Sequence, residues 1–81
     1  MGPHLVQDDR YRVLVGWDAE LETFQLTVWD NLNGGEPVLE LGRRRREVVT
    51  LSQLSAQAAR YLALDPTLLS VLRRDAPPLA T

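Results

Sequence analysis

The side chains able to carry acid–base or nucleophilic chemistry are few. His4 is the only histidine, and there is no cysteine. A thiolate nucleophile, a cysteine zinc site and a disulfide framework are therefore absent together, and histidine catalysis would have to recruit a residue at the very start of the chain. The 11 carboxylates leave a paired-acid site formally open. Glu20 and Glu22 stand at the right spacing to share a strand face, but acids at period 2 also describe the solvated side of a sheet. Asn33-Gly34-Gly35 precedes a run that reads as a strand, so its amides would not converge on an anion as they do at a helix N-terminus. Neither a catalytic residue, a metal site nor a cofactor is expected.

Binding chemistry is better supplied. Arg43-Arg44-Arg45-Arg46 sets four guanidiniums in a row, able to pair with phosphates or with an acidic surface. The plainer expectation is a solvated edge or loop whose charge discourages sheet-to-sheet pairing. Trp17-Asp18 and Trp29-Asp30 form a dipeptide that recurs at the ends of two strand-like runs. By alternation Trp29 falls opposite Phe24, Leu26 and Val28, beside Gln25 and Thr27, which makes it the exposed aromatic anchor for a partner.

These residues must be positioned by short elements. Tyr11, Val13, Val15 and Trp17 alternate along 11–17, the period of a strand. Over 21–29, Phe24, Leu26 and Val28 share one face, with Thr23, Gln25 and Thr27 on a wet one. The stretch 30–37 is dense in turn formers, and Val38–Leu41 makes a third strand that ends at Gly42. Thr50-Leu51-Ser52-Gln53 fits a capping box, with Val49 and Leu54 as a hydrophobic staple. Leu51, Leu54, Ala58, Tyr61 and Leu62 then continue at helical spacing. Asp65-Pro66 opens a second helix with Leu68, Leu69 and Leu72 inward and Arg73 and Arg74 in its last turn, and Pro77-Pro78 ends the order.

The fold class predicted is α+β: a three-stranded antiparallel β-meander followed by a helical hairpin (β-β-β-α-α). Residues 1–9 are expected to be a flexible N-terminal tail, 10–75 a single domain and 76–81 a flexible C-terminal tail. Ala59, Leu62, Ala63, Leu64, Leu69 and Leu72 reproduce the apolar skeleton of a helix-turn-helix. A second helix opening on Asp65, Pro66 and Thr67, with Ser70 and Val71 outward, offers few base-reading groups. Val15-Gly16-Trp17-Asp18, Leu21-Glu22-Thr23-Phe24, Val28-Trp29-Asp30 and Glu36-Pro37-Val38-Leu39 resemble a pattern in short uncharacterised proteins of high-GC bacteria. The resemblance covers about residues 11–74, and Arg43 to Arg46 depart from the pattern. It implies the strand and helix order and brings no activity with it.

With 81 residues, 44% hydrophobic and 25% charged, the chain has the composition of one small globular domain. All nine basic residues are Arg, against 11 acids, for a net charge of −2. Residues 1–42 carry −6 and residues 43–81 carry +4, so the halves could present opposite potentials. No apolar run reaches the ~18 residues of a membrane span, and Met1-Gly2-Pro3-His4 lacks the basic start of a signal peptide. A cytoplasmic location without membrane contact is the expectation. These features point to a non-enzymatic protein-interaction module that binds a protein partner or itself through Trp29, Thr27 and Gln25, a homodimer through the sheet being one form. The alternative is nucleic-acid binding through Arg43, Arg44, Arg45 and Arg46 with Arg73 and Arg74 of the helix-turn-helix-like hairpin, at an affinity that falls steeply with salt.

Overall fold

The structure, a computed structural model, describes residues 3–32 and 34–77. Met1 and Gly2 of the expected N-terminal tail, Asn33 of the expected turn, and Pro78 with the rest of the expected C-terminal tail lie outside the described residues. The architecture is α+β, an antiparallel sheet followed by two helices. The sheet has four strands in the order β1-β2-β3-β4: β1 His4–Gln7, β2 Tyr11–Asp18, β3 Thr23–Asp30 and β4 Pro37–Leu41. Helices α1, Leu51–Ala58, and α2, Pro66–Asp75, follow.

The expected tail gives way over His4–Gln7 to an edge strand paired with β2. His4 and Val6 turn toward the helices while Leu5 and Gln7 point to solvent, so the apolar alternation that marks β2 and β3 is weak here. A sharp turn makes the pairing possible: the Asp8 carboxylate accepts from the backbone N–H of Tyr11 (2.7 Å) and Arg10 (2.8 Å). The repeated Trp-Asp dipeptides do related work. Asp18 accepts from the N–H of Glu20 (2.9 Å) and Asp30 from that of Leu32 (2.9 Å), each fixing the turn that follows its strand. Glu20 and Glu22 therefore sit in the β2–β3 connection rather than along one strand face.

Both helices cover one side of the sheet, α1 against β3 and α2 against β2. Val13, Val15, Phe24, Leu26, Val28, Leu54, Ala58 and Leu72 are fully buried between the layers. Trp17 packs edge-on against Phe24 with ring centroids 5.0 Å apart, and Tyr11 does the same with Tyr61 at 5.3 Å. The capping box at Thr50 and Gln53 is present, and Asp65 caps α2 with Pro66 in its first turn. Helix α1 stops at Ala58, short of the apolar stripe through Tyr61 and Leu62, because the N–H groups of both residues turn back to the Ala58 carbonyl (2.9 and 2.8 Å). The connection 59–65 is longer than the ~3–4-residue turn of a helix-turn-helix. Two helices anchored mainly on separate strands produce that apolar skeleton here.

Candidate interaction face

The face of the sheet turned away from the helices carries the side chains between the core positions. Strand register sets them in rows. Leu5 pairs with Leu14, Leu14 with Thr27 and Thr27 with Glu40; the row beside it runs Gln7–Arg12–Trp29–Pro37, and Gly16 pairs with Gln25 on the other flank. The register shifts between Val28 and Trp29, so that Val28 faces Leu39 and Trp29 faces Pro37. That bulge leaves Val38 unpaired next to Trp29. Leu5 is 57% exposed and Val38 40%, and Leu14, Thr27 and Trp29 are half-buried between them. A band of apolar surface thus crosses all four strands: Leu5, Leu14, Thr27 with Trp29, and Val38.

Polar groups flank the band. The Arg12 guanidinium lies over the Trp29 ring, 4.8 Å from its centroid, a cation–π contact that holds the indole upright on the strand. On the opposite flank Gln25 donates from Nε2 to the Asp18 carboxylate (3.0 Å), and Arg43 pairs with Glu40. Between them is a shallow groove of about 330 Å³ lined by Leu14, Gln25, Thr27, Trp29, Glu40 and Arg43, together with Leu41 and Gly42. Gly42 sits at its edge with φ +84°, where a Cβ would overlap the Phe24 carbonyl oxygen. The structure thus brings Trp29, Thr27 and Gln25 together around one concavity.

Thr23, assigned by alternation to the same wet face, is instead fully buried. Its hydroxyl accepts from the Val48 N–H (2.8 Å) and lies 3.1 Å from the Val48 carbonyl oxygen, pinning the β4–α1 connection to the start of β3. Leu14 and Arg12 belong to the face by the alternation of β2. Leu5 and Val38 were not foreseen there, since one sits on the strand expected to be a tail and the other on a bulge.

The arginine run is neither extended nor gathered into one patch. Glu47 Oε1 accepts from the N–H groups of Gly42 (2.9 Å) and Arg43 (3.2 Å), and the Arg46 N–H donates to the Leu21 carbonyl (2.8 Å), with φ +56° at Arg46. This curled loop clamps the β2–β3 turn, where Arg45 also pairs with Glu22. Arg44 and Arg46 are exposed. Arg73 and Arg74, also exposed, end α2. Leu41, Leu26, Val15 and His4 form one row across the sheet, and His4 reaches Asp75 at 3.2 Å. The two arginine groups therefore lie at the same end of the sheet but at opposite edges, about 14 Å apart by strand spacing alone.

His4, expected to be unpositioned, is held by that contact: Nε2 lies 3.2 Å from the Asp75 carboxylate on the helix-covered side, away from the groove. Among the described residues no group of three or more His, Asp or Glu side chains is placed to hold a metal ion, and no helix is long and apolar enough to cross a membrane. Compared with protein-family models, with curated proteins and with solved structures, the chain matches none of them.

Proposed function

We propose that this chain is a small non-enzymatic interaction module, presenting the helix-free face of its sheet to a protein partner or to itself. The observation that carries the reading is the apolar band through Leu5, Leu14, Trp29 and Val38. An apolar centre with polar flanks is the layout of a recognition surface, and a half-exposed Trp is the residue type that most often dominates binding energy. The chemistry present supports the non-enzymatic side of the reading. The one imidazole is engaged with Asp75 on the far side of the sheet, and the groove is lined by Glu40 already paired with Arg43. A cytoplasmic location, without cofactor, belongs to the same reading.

Photo-crosslinking in cells tests it. A benzophenone amino acid at Gln7, on the open face, is expected to yield a protein adduct, whereas the same group at Ser52, exposed on α1, is not. Adducts of equal yield from both positions, or none from Gln7, would overturn the reading.

A second reading has its own observation. Arg44, Arg46, Arg73 and Arg74 are exposed at one end of the sheet, with no side-chain partner among the described residues, and could contact a phosphate backbone. Against it, Arg43 and Arg45 are already neutralised by Glu40 and Glu22. Anisotropy of labelled DNA and RNA at low and physiological salt decides: binding lost both in salt and in an Arg44→Ala/Arg46→Ala variant supports this reading, and no binding at either salt removes it.

A further inference from the structure

Resting on the interaction reading above, we infer that the occupant of the open face is a second copy of this chain, stacked face to face about a two-fold axis that runs along the apolar band. Three observations choose this occupant over a foreign one.

The first is charge. The face bears Arg12 on one flank of the band and Glu40 with Arg43 on the other. A rotation of 180° about the band sets each copy's Arg12 flank against the other's Glu40 and Arg43 flank, so the two signs meet without any further residue. An isologous contact demands this self-complementarity. A strongly acidic or basic partner finds no matching field, and a phosphate chain laid along the groove meets Glu40.

The second is relief. Trp29 and the bulged Val38 stand beside a groove whose floor includes Thr27 and the side-chain-free Gly42. Under the same rotation the raised side of each copy lies over the lowered side of its partner, large side chains against small ones.

The third is area set against the alternative route. Strands of 4, 8, 8 and 5 residues at ~3.3 Å rise and ~4.8 Å spacing make a face of roughly 400 Å². Two such faces bury roughly 800 to 1,000 Å², the lower end of specific interfaces and the range of reversible association. The edges invite pairing less. Strand β4 opens on Pro37, which has no N–H, and carries the bulge; β1 is four residues long and its first residue is tied to Asp75. Short, bulged and proline-bearing edges discourage strand addition. Stacking of faces, not extension of the sheet, is the mode inferred.

Sedimentation equilibrium of the full chain from about 10 µM to 1 mM tests this, on the wild type and on two variants at the band, Thr27→Arg and Leu5→Lys, with circular dichroism reporting the fold of each. The expected result is a monomer–dimer equilibrium with a dissociation constant in the tens of micromolar, weakened at least tenfold by either substitution; Leu5→Lys, at an already exposed position, keeps the test valid should Thr27→Arg fail to fold. A wild type that stays monomeric to 1 mM overturns the inference, as does a dimer indifferent to Leu5→Lys. Quenching of Trp29 fluorescence by a single-stranded oligonucleotide, in place of self-association, overturns it in favour of a nucleic acid. The mass of the Gln7 photo-adduct separates this inference from the reading beneath it. Twice the chain mass supports both, any other protein mass sinks the second copy alone, and no adduct sinks the reading.

Discussion

Thr23 and Thr27 occupy the same strand and, by alternation, the same side of it, yet their hydroxyls have different fates. Thr23 lies under the β4–α1 connection and is the hydrogen-bond acceptor for the Val48 N–H, while Thr27 stands half-exposed in the groove. Replacing Thr23 by Val keeps its shape and leaves a buried N–H without that acceptor, a loss of about 1–3 kcal/mol. Thr27→Val is expected to change stability by no more than about 0.5 kcal/mol, both being read from denaturant midpoints at low protein concentration. Gly42 is the second residue with no tolerance. Its φ of +84° disfavours any side chain, and a Cβ would come within 2.7 Å of the Gln25 Cα. Gly42→Ala should therefore cost at least about 2 kcal/mol, visible as a lowered melting temperature. Alternation sufficed to place Trp29 on the open face, because β3 is long and its core side unbroken. It failed for Thr23 because the group that buries it, Val48, is distant in sequence and arrives only once the chain has turned back.

The same distinction holds for whole elements. Strands β2, β3 and β4 and both helix starts were legible because each is marked locally, by alternation or by a cap. Strand β1 was not: it is short, half of its outward positions are apolar, and its stability comes from β2 and from the Asp8 turn. That turn gives the element a pH dependence. Hydrogen bonds from the N–H groups of Tyr11, first, and Arg10 hold the Asp8 carboxyl below the ordinary aspartate range. A group whose folded value is depressed contributes stability that is present above its unfolded value, about 3.9, and is lost as pH falls through the lower folded value. An NMR titration should show Asp8 protonating below the other exposed carboxyls, with the Arg10 and Tyr11 amides moving in step, and the step should vanish in Asp8→Asn. A midpoint at the ordinary aspartate value would mean that the turn does not hold β1. The arginine run shows the converse case, a signal conspicuous in sequence whose backbone is spent on joining sheet to helix. Its charge was legible, but the curl that sends Arg45 to Glu22 and the Arg46 N–H to Leu21 depends on a hairpin formed elsewhere.

At the scale of the molecule, the −6 and +4 halves of the sequence do not remain separate fields. Arg45 meets Glu22, Arg43 meets Glu40 and His4 meets Asp75, each contact joining one half to the other. Exposed pairs of this kind contribute about 0–1 kcal/mol each, so stability rests on the single core between sheet and helices. A domain this small buries only ~60% of the surface its unfolded chain exposes, and a partner that binds only the folded state adds directly to that margin. With a dimer constant near 50 µM, raising the concentration from about 10 µM to 1 mM should stabilise each folded chain by about 1 kcal/mol, or about 4–8 °C in melting temperature for a domain of this length. The rise should disappear in Leu5→Lys, whose side chain lies outside the buried core, so a loss there reports on association and not on packing. Scanning calorimetry across that range measures it. A melting temperature independent of concentration would leave the open face of the sheet without a second copy upon it, and the stability of the chain to its own core alone.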